Sequence, residues 1–176
     1  MKKILLVCAL LCSIGGVAYA MAQVDITQHT SCAYCGMDRQ KFAHSRMLIT
    51  YDDNSSKGLC SLHCASIDLA NQMDKMPQAI KVGDYNSKEL IDAEEATWVL
   101  GGSAKGVMTG RAKWAFADRA AAEEFTGKQG GEIVDFETAI KASYEDMYQD
   151  TKMIRMKRRE MKKMKLEQKG KAGMGM

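Results

Sequence analysis

Four cysteines fall in two tight clusters, Cys32-Ala33-Tyr34-Cys35 and Cys60-Ser61-Leu62-His63-Cys64, with twenty-four residues between them. No other feature of the chain constrains its fold so strongly. A Cys-x2-Cys followed by a Cys-x3-Cys can close a tetrahedral zinc site of four thiolates. It does so if Cys60 ends a strand and Cys64 sits in the first turn of a helix, so that both converge on Cys32 and Cys35. The three histidines, His29, His44 and His63, lie in the same stretch. Thiolate, thioether and imidazole are the donors that Cu(I) and Zn(II) prefer. Beyond Cys64 there is neither Cys nor His, so methionines are the only soft donors left.

The first twenty residues set the expected compartment. Lys2 and Lys3 precede an apolar run from Ile4 to Val17, and Ala18-Tyr19-Ala20 supplies the small-x-small pattern of a cleavage site. The run is short for a membrane span. Residues 1–20 therefore read as a cleaved signal peptide, and the remaining domain of about 155 residues as an exported, periplasmic-type protein. Cys8 and Cys12 leave with the leader. Leu11 before Cys12 is not the small residue that lipoprotein processing favours, so lipidation is disfavoured.

Export leaves several fates open to the four thiols. In an oxidising compartment they could form two disulfides, and Cys60 with Cys64 could simply be small buried residues. A Cys-x-x-Cys can also be a thiol–disulfide redox pair, but that chemistry expects the motif at a helix start after a thioredoxin-type strand. Nothing before Cys32 reads as such a strand. Disulfide scaffolds also spread their cysteines, and a domain of this length can bury an adequate core without staples. The clustering favours metal. His63 points away from Cys64 if the helix has begun, His44 reads as a surface residue, and His29 is undecided.

The body reads as one unit used twice. Residues 46–51 form a strand, 52–57 a polar turn and 58–62 a second strand. Residues 63–76 are helical and stopped by Pro77, and 79–82 form a third strand. The order returns with strands at 97–100 and 113–117 around a glycine-rich segment, 101–110. Asp118 then caps a helix to Thr126, and a strand follows at 132–136. This predicts an α+β fold of two consecutive β-β-α-β repeats with small mixed or antiparallel sheets. The repeats span residues 21–83 and 84–147, with the Cys/His clusters in the first.

Residues 148–176 differ in character. Asp150 to Lys171 carry ten Lys/Arg against three Asp/Glu, a local +7 in a chain whose total is +3. Met, Lys, Arg, Glu and Gln favour a basic helix to Lys169, with Met153, Met156, Met161 and Met164 roughly on one face. Residues 170–176 read as a disordered end. The tail reads as separable from the body. It could touch the body or a partner, store Cu(I) on thioethers, or meet an anionic membrane surface. Nucleic acid is not an expected partner, because the basic stretch has no aromatic residues for base stacking.

Three segments resemble the NosL family, accessory proteins of nitrous oxide reductase. They are Cys35-Gly36-Met37, Gly106-Val107-Met108-Thr109-Gly110, and Ala120-Ala121-Ala122 through Phe125 with Gly130-Gly131-Glu132-Ile133-Val134. The resemblance spans roughly residues 30–140. It implies an exported Cu(I) metallochaperone of duplicated β-β-α-β units, with Cys35 and Met37 as ligands and Met108 reaching in from the second repeat. It also implies a client cuproenzyme or its assembly machinery as partner; a homodimer is a further expectation. The chain has no Ser-His-Asp order, phosphate-cradling loop or carboxylate placed beside a histidine, so an enzyme is not expected. Two other readings stand beside the carrier: a four-thiolate zinc structural or sensor domain built on Cys32, Cys35, Cys60 and Cys64, and an exported thiol–disulfide protein.

Overall fold

The computed structural model describes residues 24–173, with side chains to residue 168; the signal segment 1–20 lies outside them. A short helix α1 (Val24–Gln28) is followed by strands β1 (Met47–Tyr51) and β2 (Ser56–Leu59), helix α2 (Leu62–Asn71) and strand β3 (Pro77–Gly83). Strands β4 (Leu90–Asp92), β5 (Thr97–Leu100) and β6 (Lys113–Phe116) come next. Helix α3 (Arg119–Gln129), strand β7 (Glu132–Val134) and helix α4 (Phe136–Gly173) complete the chain. Every pairing is antiparallel, in two sheets of order β2-β1-β3-β4 and β6-β5-β7. In each unit the first strand is flanked by the second and third, so the two β-β-α-β units share one topology. The expected α+β fold is present, and the sheets are antiparallel.

The two units share one core. Met47, Ile49, Tyr51 and Leu59 of the first are continuous with Trp98, Val99, Trp114 and Phe116 of the second. Hydrogen bonds close the seam: Tyr85 N–H donates to the Ala115 carbonyl at 2.8 Å, and Ala117 N–H to the Asp84 carboxylate Oδ1 at 2.9 Å. His44, expected at the surface, instead packs within this seam against the Tyr85 and Trp114 rings, 5.8 and 5.4 Å between centroids.

Several boundaries differ from the sequence expectation. Helix α2 ends at Asn71, five residues early, because Gln72 leaves helical dihedrals (φ −113°, ψ 42°). Pro77 opens β3, where it pairs with Tyr51 at an irregular register. Helix α1 and strand β4 went unpredicted, since five- and three-residue elements show too little periodicity to read. Asp118 does cap α3, accepting from Ala120 N–H, and the helix runs through Gly127 to Gln129 before Gly130 (φ +72°) ends it.

The largest correction concerns the tail. Helix α4 is continuous from Phe136 to Gly173, so residues 170–173 are helical and the tail is not a separate piece. Its first turns pack on α2 and β5, burying Ala139, Ala142, Ser143 and Asp150. From Lys157 to Gln168 the side chains are exposed. Met153, Met156, Met161 and Met164 do not share one face: Met156 lines a hollow with Tyr148 and Arg159, away from Met153 and Met161. No helix among the described residues is long and apolar enough to cross a membrane.

Candidate metal centre

The first cysteine pair sits on a tight knuckle between α1 and β1. Gly36 N–H donates to the Cys32 carbonyl at 3.0 Å, and Cys32 N–H to the Met37 carbonyl at 2.8 Å. The turn needs Gly36 at φ +73°, a left-handed conformation that favours glycine. A bond from Ala33 N–H to the Gly58 carbonyl at 3.1 Å ties the knuckle to β2. Cys60 follows directly on β2, and Cys64 is the third residue of α2. Strand end and helix start thus bring the second pair onto the first, as the spacing allows.

All four sulfurs lie within 4.8 Å of one another. Cys35 Sγ is 3.4 Å from Cys60 Sγ, and Cys60 Sγ is 3.7 Å from Cys64 Sγ. Metal–sulfur bonds of about 2.3 Å in a tetrahedron give sulfur–sulfur edges of about 3.8 Å. The four free thiols therefore stand close to a ligand cage. Cys32, Cys60 and Cys64 are buried, and Cys35 is partly exposed at the rim.

Proton affinity divides unevenly across the cluster. Hydrogen bonds from the Cys35, Cys60 and Cys64 thiols hold Cys32 far below the ordinary thiol range. Contact with Cys32 raises Cys35, but bonds from Cys60 and Cys64 outweigh it and bring it to about 7. Cys60 is pushed up by Cys32 and Cys35, and Cys64 by Cys32, Cys35 and Cys60. A soft cation displacing the remaining protons is the natural occupant.

A carboxylate the sequence reading did not single out fixes this geometry. Asp68, buried on α2, accepts from Tyr34 Oη at 2.8 Å and from Tyr51 Oη at 2.6 Å. One side chain thus joins the cysteine knuckle, the central strand and the helix carrying Cys64. Its one legible signal is that it is the sole carboxylate in that helix. Buried Asp25 on α1 likewise accepts from Arg39 Nη2 at 2.7 Å and Arg46 Nε at 2.8 Å. Arg39 also donates to the Leu59, His29 and Met47 carbonyls, pinning the strands that lead into the site.

The histidines stand apart from the thiols. His29 Nε2 bonds Ser56 Oγ at 2.9 Å, and His63 turns its ring toward Asp150 of α4, Nδ1 to Oδ2 3.6 Å. Met37 and Met108 are both near. With Cys35 they line a groove of about 300 Å³, which Met153 and Met161 of α4 close on the other side. The glycine-rich loop carrying Met108 is fastened to α4: Gly110 N–H donates to Asp150 Oδ1 at 2.8 Å, and Arg111 Nε to Asp146 Oδ2 at 2.9 Å. Met108 itself is held at φ +61°. The structure thus gathers all six sequence-predicted residues at one place, four as a cage and two beside it.

The NosL family model matches residues 23–144. The chain belongs to the NosL family. Its fold is also similar to the crystal structure of the copper chaperone NosL from Shewanella denitrificans, with a TM-score of 0.53 and 24% identity over 62% of this chain and 88% of that one. No curated protein matches it. The family resemblance read from Cys35-Gly36-Met37 and the Met108 segment is borne out. The family match ends at residue 144, the ninth residue of α4; the rest of that helix, with Met153 and Met161, lies beyond it.

Proposed function

We propose that this NosL-family chain is an exported carrier of Cu(I), which it takes up on the Cys32–Cys35–Cys60–Cys64 cluster and passes to a cuproenzyme such as nitrous oxide reductase. The observation that carries this reading is the convergence of four free thiols within 4.8 Å on a NosL-family fold. Thiolates favour soft ions such as Cu(I) and Zn(II) over harder cations. The solved structure of similar fold is that of a copper chaperone, which supports copper as the cargo.

Delivery needs an accessible edge. Three buried thiolates hold the ion, and the partly exposed Cys35 is where an incoming ligand can form a shared intermediate. Met37 and Met108 stand beside that edge as neutral donors. The distal half of α4, basic and exposed, offers an encounter surface for an acidic client or an anionic membrane. The leader of residues 1–20 supports export with a cleaved signal peptide.

The cage distances also favour a second reading, in which the four thiolates hold zinc as a structural or sensor site. Loading the anaerobically purified mature protein with Cu(I) and mixing it with an apo-cuproenzyme tests the carrier reading. Cu(I) should move to the enzyme and restore its activity, and Cys35→Ser should slow that transfer. Copper that stays on the carrier, or a zinc ion that Cu(I) cannot displace, supports the zinc site instead.

A further inference from the structure

Helix α4 turns a basic face away from the body. Its side chains from Lys157 to Gln168 are exposed, and residues 150–171 carry a local +7 beside a body, 21–149, that is net negative. At about 3.6 residues per turn, Lys152, Arg155, Arg158, Arg159, Lys162, Lys163 and Lys165 fall within an arc of about 160°. All seven are exposed, and among the described residues none of them is ion-paired. Glu160 and Glu167 fall outside the arc, as do Ala139, Ala142, Ser143 and Asp150, which the helix buries against the body. Two large side chains stand in the middle of the arc: Tyr148 is 73% exposed and Leu166 60%. They are eighteen residues apart, about five turns, and so mark one line about 27 Å long.

We infer that this face docks on a bilayer of anionic phospholipid, with α4 lying along the surface and the body held off it. The inference rests on the encounter surface of the carrier reading and deepens it by committing that surface to lipid. Seven unpaired cations with no carboxylate among them call for a row of anions along the whole line. Lipid phosphates supply one at any spacing, each basic side chain near the surface adding about fivefold in affinity. A protein interface gathers its apolar residues into one core, whereas Tyr148 and Leu166 stand singly among cations. Single aromatic and aliphatic side chains on a basic helix face suit the headgroup layer. Pairing with α4 of a second copy is disfavoured, because both carry +7. Met153, Lys157 and Met161, which line the groove beside Cys35, lie on the other side of the helix. The docked chain therefore keeps its thiol edge open to solution for an incoming client.

The test is sedimentation of the copper-free, reduced mature protein with vesicles of phosphatidylglycerol and phosphatidylcholine in equal parts, and of phosphatidylcholine alone. The protein should pellet with the anionic vesicles at low salt and be released as salt rises. With the neutral vesicles it should stay in solution. Arg155→Gln/Arg159→Gln/Lys162→Gln keeps good helix formers at exposed positions and should leave the melting temperature unchanged. It should bind the anionic vesicles about 100-fold more weakly. Lys41→Gln/Lys81→Gln/Lys128→Gln changes the net charge equally at exposed positions of the body and should bind like the wild type. Tyr148→Gln/Leu166→Gln should be released at lower salt than the wild type. No binding to anionic vesicles, equal binding to neutral ones, or equal loss in the two triple variants would each overturn the inference. Failure on vesicles beside a salt-sensitive complex with an apo-cuproenzyme that needs Arg155 and Arg159 assigns the face to an acidic protein instead. Copper is absent from this assay, so failure here leaves the carrier reading standing; failed Cu(I) transfer in vesicle-free solution overturns that reading.

Discussion

His63 Nδ1 and Asp150 Oδ2 face each other 3.6 Å apart, both buried, joining the helix that carries Cys64 to the C-terminal helix. Asp150 also accepts from Gly110 N–H through its other oxygen. One residue of α4 thus touches the cysteine helix and the Met108 loop together. A chain ending at Tyr148 should lose thermal stability and bind Cu(I) more weakly, whereas one ending at Arg159 should melt like the full protein. Asp150→Ala removes the acceptor of the Gly110 N–H bond and the carboxylate facing buried His63, a cost of about 1 kcal/mol. Thermal unfolding of the three variants checks this.

Asp25 gives the fold an acid limit. Burial raises its carboxyl pKa, but the bonds and charges of Arg46 and Arg39 outweigh that and hold it below 3.8. A depressed carboxylate contributes stability that is fully present above its unfolded value and is lost as pH falls through the folded one. Asp25→Asn leaves two buried guanidinium groups without their counter-charge, a loss of about 3–5 kcal/mol at neutral pH. The wild type should destabilise steeply below about pH 4, and the variant should show a smaller further loss there. Denaturant unfolding at about pH 7 and about pH 3 measures both.

Tyr34→Phe removes the Asp68 bond to the cysteine knuckle while leaving the Tyr51 bond in place. A partly buried bond to a carboxylate is worth about 1.5–3 kcal/mol. The knuckle should loosen more than the core, so Cu(I) affinity should fall while the melt stays cooperative. Chelator competition beside a thermal melt separates the two effects.

The cage was legible in the sequence because its spacing carries its own geometry: a strand end and a helix start four residues apart can meet a knuckle at only a few places. The duplicated units were legible for a similar reason, since each strand and helix keeps its own hydrophobic period. The role of α4 was not. Its composition from Asp150 onward is that of a solvated basic helix, and Asp150 reads as one more surface charge until tertiary packing buries it against His63. Asp25, Arg39 and Arg46 were silent too, since a buried ion triad depends on contacts between residues far apart in the chain. His44 misled because a lone imidazole between Ala43 and Ser45 gives no sign of the Tyr85 and Trp114 rings it packs against.

The central claim is that the four thiols bind Cu(I) as one unit, and Cys60→Ser/Cys64→Ser tests it most directly. Anaerobic Cu(I) competition against a strong chelator, with X-ray absorption at the copper edge, should show one tightly held ion in a sulfur-only shell for the wild type. The double variant should lose that tight ion. Wild-type affinity retained in the double variant, or a wild-type protein that keeps zinc against excess Cu(I), would contradict the account.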